Sequence, residues 1–99
     1  YGDVSGLNPE AKTYTPAIDG LIEDGLTFTE AHASASVCTP SRYGLLTGRY
    51  AFRNKIKGGN VNGFGSSVFE KDRKTMADLL NDAGYTTACV GKWHLGFDW

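Results

Sequence analysis

Cysteine is scarce in this sequence, and no long apolar run is present. The 99 residues include two cysteines, Cys38 and Cys89, which are too far apart for a metal-binding pair and too few for a disulfide scaffold. No stretch approaches the roughly 18 consecutive apolar residues that cross a bilayer, so the sequence predicts no membrane span. Aromatic residues make up 12% of the chain, which argues against intrinsic disorder.

Acidic residues are absent from the middle third of the chain. The formal net charge is only −1, but residues 31–69 carry no carboxylate and five cations: Arg42, Arg49, Arg53, Lys55 and Lys57. Such a segment is expected where an anion is held. On charge alone, however, a solvated basic face is the simpler interpretation.

The spacing of apolar and capping residues predicts three helices. The first begins at Thr15-Pro16 and ends at Gly25, and the second runs from Pro40 to Gly48. The third begins after Thr75, where Asp78 completes a capping box, and ends at Gly84.

Two short segments have strand patterns, residues 26–29 and 85–90, and the glycine-rich residues 58–67 are predicted to form a loop. Alternating helices and strands predict an α/β architecture. Because two strands cannot form an independently stable sheet, we expect this chain to be part of a larger α/β domain.

The first segment with chemical character is Cys38-Thr39-Pro40-Ser41-Arg42. Thr39 precedes a proline, which predicts that it is extended and that Cys38 lies just ahead of a helix N-terminus. Unpaired N–H groups at that end favour an anion, and Arg42 in the first turn can reach the same point. Cys38 is therefore either a reactive cysteine or a small buried side chain beside a helix start.

The second such segment is Gly91-Lys92-Trp93-His94. In an extended chain Lys92 and His94 point to one face and Trp93 to the other, where it packs inward. Lysine supplies a point charge for an anion and histidine can move a proton near neutral pH. Taken alone, a lysine and a histidine at this spacing are more typical of a surface than of a site.

Together the two segments resemble the signatures of the type I sulfatases, a family of the alkaline phosphatase-like superfamily. The first signature is cysteine or serine, any residue, proline-serine-arginine, three residues, an aliphatic residue and threonine-glycine. It is matched by Cys38, Pro40, Ser41, Arg42, Leu46, Thr47 and Gly48. The second is matched by Gly84, Tyr85, Thr87, Gly91, Lys92 and His94.

The resemblance implies that a formylglycine-generating enzyme oxidises Cys38 to Cα-formylglycine, with Pro40, Ser41 and Arg42 as its recognition sequence. One hydroxyl of the hydrated aldehyde attacks sulfur and expels the alcohol, and loss of a proton from the other releases sulfate. The implied catalytic residues are Cys38, Arg42, Lys92 and His94. Arg42 holds the diol, Lys92 binds sulfate and His94 assists proton transfer.

The family also uses a divalent cation, commonly Ca²⁺, to which formylglycine at position 38 supplies one ligand. The family's first pair of metal aspartates is absent here, and Asp3 resembles a position beside them. The other ligands are expected outside this chain. The resemblance thus implies that residues 1–99 are an N-terminal portion of one sulfatase catalytic domain, without an internal boundary, and inactive when isolated.

Two other functions remain open from the sequence. A phosphonate or phosphate ester hydrolase of the same superfamily can share the Cys38 signature, and a noncatalytic module could use the cationic segment to bind nucleic acid or a sulfated glycan. The favoured prediction is hydrolysis of a sulfated small molecule or glycan, without a nucleic-acid partner. For the type I sulfatases an extracytoplasmic location is the expectation.

Overall fold

The computed structural model describes residues 1–56 and 59–98. Lys57 of the predicted cationic segment, Gly58 of the predicted loop and Trp99 lie outside the described residues. The helices are α1 (Pro16–Asp24), α2 (Cys38–Thr47) and α3 (Met76–Asp82), with a short 3-10 helix at Ala51–Arg53 after α2. The chain divides into two compact units, Tyr1–Ala31 and His32–Trp99. The prediction of one catalytic domain without an internal boundary stays a prediction.

The first unit is built around α1 and one aspartate. Pro16 occupies the start of the helix, where its fixed φ fits and its missing N–H is no loss. The Asp19 carboxylate accepts hydrogen bonds from Ser5 Oγ at 2.5 Å and from Thr15 Oγ1 and the Gly6 N–H at 2.8 Å. These bonds, that from Ser5 foremost, lower the pKa of Asp19. They tie the segment before the helix to its first turn.

Helix α2 begins two residues earlier than predicted. Cys38 and Thr39 are helical, so the predictions that Thr39 is extended and that Cys38 lies ahead of the helix are wrong. Pro40 thereby takes the third helical position, where a backbone N–H has no intrahelical partner in any case. The Thr39 N–H donates to Asn60 Oδ1 at 3.0 Å, which gives a partner to one of the N–H groups that a helix start leaves unpaired. The helix ends as predicted at Gly48, whose φ of 64° is left-handed.

Helix α3 has the predicted start and end. The Thr75 side chain accepts from the Asp78 N–H, and the Asp78 side chain accepts from the Thr75 N–H. The Asp78 carboxylate also accepts from the Thr75 hydroxyl at 2.7 Å, and this bond, followed by that from the Thr75 N–H, lowers the pKa of Asp78. The helix stops just before Gly84, which has a φ of 90°.

Neither predicted strand forms. Within residues 1–56 and 59–98 no segment is a β-strand, and residues 26–29 and 85–90 have no ladder partner there. A strand pattern supplies only one side of a ladder, because the backbone N–H and C=O groups must pair with a second strand. The predicted α/β class is therefore not confirmed by this chain. Cys89, which lies in the second of these segments, is exposed.

The small core of the second unit holds the two signature segments together. Tyr43, Ala51 and Leu95 are buried, and five partly buried side chains pack on them: Leu46, Ile56, Val68, Phe69 and Trp93. The Val68 N–H donates to the Leu95 carbonyl at 3.0 Å. Residues 92–95 are thereby fixed beside α2. None of the helices in residues 1–56 and 59–98 could span a lipid bilayer.

Candidate active site

Cys38 and Lys92 come together although they lie at opposite ends of the second unit. Cys38 is half-buried in the first turn of α2, and Lys92 is exposed just before the buried Leu95. The Lys92 Nζ atom lies 3.4 Å from the Cys38 Sγ atom. At this distance the ammonium can donate a hydrogen bond to the sulfur.

Arg42 is the second cation of the site. It lies one turn after Cys38 on α2, so the two side chains share a helix face. Its Nη1 atom donates to the Lys92 carbonyl, which connects the helix to the second signature. Its Nε atom is buried and has no hydrogen-bond partner among the described residues.

His94 is held in an unusual backbone conformation. Its φ of 57° is left-handed, so the chain is not extended at this point as predicted. Its Nε2 atom lies 2.9 Å from the Val61 carbonyl oxygen, which can only accept, so Nε2 carries a proton. Its Nδ1 atom is buried and has no partner among the described residues.

Lys92 and His94 line a common cavity of about 250 Å³. The remaining lining comes from Asn62, Gly63, Gly96 and Phe97. Trp93 lies between Lys92 and His94 in the sequence, but its ring packs on Phe69, with ring centroids 5.9 Å apart. Its Nε1 atom donates to the Gly96 carbonyl at 2.8 Å. The indole therefore packs against the core of the second unit.

Pro40 and Ser41, the other residues of the predicted maturation motif, contact the protein interior. Pro40 is buried. The Ser41 hydroxyl donates to the Ala35 carbonyl at 2.5 Å and fixes the segment that leads into α2. In this fold the two residues shape the helix start and do not contribute polar atoms to the cation pair.

Among the residues that the structure describes, no ion pair joins the two cations of the site, Arg42 and Lys92, to a carboxylate. Ion pairs join Arg49 and Arg73 to Glu70, and Lys74 to Asp82. Arg42 and Lys92 take part in none of these. Two adjacent cations without counter-charge are expected to bind an anion.

Sequence reasoning missed three residues at this site: Thr39, Asn60 and Val61. The Thr39 hydroxyl donates to the His94 carbonyl at 2.8 Å and accepts from the Val61 N–H at 3.1 Å. Asn60 and Val61 lie in the glycine-rich loop, which has no periodic pattern. Val61 acts through its backbone, so its side chain gives no sequence signal.

The residues present suit an anion better than a metal ion. In the parts of the chain that the structure describes, no three histidine, cysteine, aspartate or glutamate side chains form a group that could hold a metal. Asp3 belongs to no such group among the described residues.

Comparison with known proteins agrees with the two signatures. The model of the sulfatase family matches residues 2–99. The chain is 47% identical over 95 residues to N-acetylgalactosamine-6-O-sulfatase of Bacteroides thetaiotaomicron, covering 96% of this chain and 18% of that protein. It is 41% identical over 98 residues to arylsulfatase G of Rattus norvegicus, covering 97% of this chain and 18% of that protein.

A human relative extends the comparison. The chain is 41% identical over 87 residues to human steryl-sulfatase, covering 83% of this chain and 15% of that protein. It therefore spans less than a fifth of the length of these curated relatives. The match over nearly all of its residues shows that this chain belongs to the sulfatase family.

Proposed function

We propose that this chain carries the nucleophile and the anion-binding part of an active site that hydrolyses sulfate monoesters. The observation that supports this most directly is the 3.4 Å approach of Lys92 Nζ to Cys38 Sγ. Arg42 lies on the same helix face and, like Lys92, has no carboxylate partner among the described residues. A sulfate ester is a tetrahedral anion, and its negative charge suits this pair of cations.

The nucleophile of the proposal is formylglycine formed from Cys38 by a formylglycine-generating enzyme that recognises Pro40, Ser41 and Arg42. When formed, this group supplies the nucleophilic hydroxyl of a hydrated aldehyde. Two unpartnered atoms support the fit. The buried Arg42 Nε–H needs an acceptor, and the buried His94 Nδ1 needs a donor when the ring is neutral. A hydroxyl offers both functions, whereas a thiol is weak in each.

The proposed roles of the side chains follow from their chemistry. Lys92 holds sulfate and offsets charge that grows in the transition state. Arg42 donates to oxygen at position 38 through Nε while Nη1 stays on the Lys92 carbonyl. His94 exchanges a proton with the group at position 38 through Nδ1, since Nε2 is committed to Val61.

The rest of the proposed active site belongs to a longer protein. We assign residues 1–99 to the N-terminal portion of an alkaline phosphatase-like α/β catalytic domain. In that domain a divalent cation, Ca²⁺, is bound beside position 38 by oxygen ligands from residues outside this chain. We assign the protein to an extracytoplasmic location, and its substrates to sulfated small molecules or glycans.

The test is the mass of the peptide that contains residue 38. The full-length protein, coexpressed with a formylglycine-generating enzyme, should show an aldehyde in place of the thiol, and a hydrazine should trap it. Cys38→Ala is the matched control and should lose both the adduct and hydrolysis of aryl sulfates.

Two outcomes would contradict the proposal. An unmodified thiol throughout a preparation that hydrolyses sulfate esters would exclude formylglycine as the nucleophile. A higher kcat/KM for aryl phosphonates than for aryl sulfates would assign the site to phosphonate ester hydrolysis.

A further inference from the structure

Three hydrogen bonds close a ring around Thr39, Val61 and His94. The Thr39 hydroxyl donates to the His94 carbonyl at 2.8 Å, and the Val61 N–H donates to Thr39 Oγ1 at 3.1 Å. The His94 ring returns to Val61, with Nε2 2.9 Å from the Val61 carbonyl oxygen. The ring fixes both the backbone and the imidazole of His94.

Thr39 is the member whose side chain closes this ring. Its side chain is fully buried, with 0% exposure. A hydroxyl can donate and accept at once, and both functions are used here. Thr39 also lies next to Cys38, so the same residue links the helix turn that carries the nucleophile to the segment that carries His94.

The ring determines which nitrogen of His94 is basic. Because Val61 presents a carbonyl oxygen to Nε2, the proton of the neutral imidazole lies on Nε2 and the free lone pair on Nδ1. The left-handed φ of 57° orients the His94 carbonyl, which the Thr39 hydroxyl holds. Without that bond the His94 peptide can rotate, and the imidazole then loses its hydrogen bond to the Val61 carbonyl.

We propose that Thr39 is a positioning residue that, through Val61, holds His94 in its Nε2–H tautomer with Nδ1 toward the reacting group. This rests on the proposed sulfatase function. Because Lys92 and Arg42 bind the anion without Thr39, its hydroxyl affects kcat and leaves KM for the sulfate ester nearly constant.

The test compares Thr39→Val, which keeps the shape and removes the hydroxyl, with the wild-type full-length protein. Rates on an aryl sulfate are divided by the fraction of molecules that carry formylglycine, measured by mass spectrometry, because residue 39 lies within the maturation motif. We expect kcat to fall about 10- to 100-fold, the usual effect of losing a group that orients a functional histidine. KM should change less than about threefold.

Thr47→Val is the matched control. Thr47 lies on the same helix, and its hydroxyl donates to the Tyr43 carbonyl at 2.7 Å, away from His94. Its normalised kcat should stay within about twofold of wild type. A wild-type kcat in Thr39→Val, or a loss confined to KM, would overturn the positioning role while sulfatase activity stands. A wild-type protein without activity on sulfate esters would overturn the proposed function itself.

A second pair decides the question if Thr39→Val does not fold. Thr39→Ser and Thr39→Ala both remove the methyl group and differ only in the hydroxyl. We expect Thr39→Ser to keep most of the wild-type kcat and Thr39→Ala to lose it about 10- to 100-fold. Equal normalised kcat values in the two variants would show that the hydroxyl does not position His94.

Discussion

The backbone and the side chain of Lys92 have different contacts: Arg42 binds the backbone carbonyl, and the ammonium contacts Cys38. Arg42 donates to the backbone carbonyl of Lys92, so this bond survives any change to the Lys92 side chain. The Lys92 ammonium lies 3.4 Å from the Cys38 Sγ atom, and the Lys92 side chain is exposed to solvent. A substitution at Lys92 can therefore remove charge from the site without loosening the segment that carries it.

We expect Lys92→Met in the full-length protein to lower kcat/KM for an aryl sulfate by roughly a hundredfold or more. Methionine keeps much of the side-chain length but removes the cation that faces developing negative charge, and loss of one preorganised electrostatic donor has an effect of this size. Steady-state kinetics at matched formylglycine content measures it. Lys12→Met, an exposed lysine of the first unit, is the control and should keep wild-type kinetics. Near-normal turnover in a folded Lys92→Met protein would make Lys92 a scaffold residue.

At the scale of elements, the sequence predicts the helices well because their signals are local. Thr75 and Asp78 form the expected capping box. Gly48 caps the end of α2 and Gly84 follows the end of α3, both with a positive φ. The start of α2 is the exception. A residue before proline prefers an extended backbone. Here the hydrogen bond from the Thr39 N–H to Asn60, 21 positions along the chain, stabilises the helical conformation instead.

Non-local contacts explain the other differences. Residues 26–29 and 85–90 have strand patterns, but a ladder needs a second backbone that the described residues do not provide. Lys92 and His94 are recognisable because their charge and imidazole are chemically distinctive. Val61 is not, because it contributes only its N–H and carbonyl.

Gly96 is essential for the contact between the Lys92 segment, residues 91–96, and residues 65–68. Its φ is 74°, and a Cβ atom would lie 2.0 Å from the Ser66 carbonyl oxygen. Two backbone hydrogen bonds flank this contact, Val68 N–H to Leu95 O at 3.0 Å and Phe97 N–H to Gly65 O at 3.1 Å. Any side chain at residue 96 therefore separates the two segments.

We expect Gly96→Ala to destabilise the full-length protein by at least about 1 kcal/mol from the left-handed conformation alone, with the steric overlap adding to it. Its Tm should fall, and activity should fall with it because Lys92 and His94 lie on the displaced segment. Gly63→Ala is a matched control, since Gly63 lines the same cavity, is not left-handed and has open space around its Cβ position. Equal Tm values for the two variants would contradict this account of Gly96.

At the scale of the whole molecule, few apolar side chains are buried. Among the described residues the buried hydrophobic side chains are Tyr43, Ala51 and Leu95, all in the second unit. In the first unit, Tyr1–Ala31, every residue is described and none is buried. Large side chains such as Phe64 and Val90 are 92% and 98% exposed. Burial of apolar surface is the main favourable term in folding, so this chain has little to offset its conformational entropy.

We therefore expect the isolated 99-residue chain to unfold without a cooperative transition and to gain no stability from Ca²⁺. The three buried hydrophobic side chains among residues 1–56 and 59–98 are too few for a two-state domain, and the same residues form no cluster that could hold a metal. Circular dichroism during heating, with and without Ca²⁺, measures both expectations, and the full-length protein is the positive control. Binding of a hydrophobic dye at low temperature should report the exposed apolar side chains.

A sharp thermal transition of the isolated chain, with a midpoint that rises by several degrees with Ca²⁺, would contradict this expectation. It would require metal ligands among Asp3, Asp19, Glu23 and Glu30. In the structure Asp19 accepts hydrogen bonds from Ser5, Gly6 and Thr15, and the described residues form no metal-binding cluster.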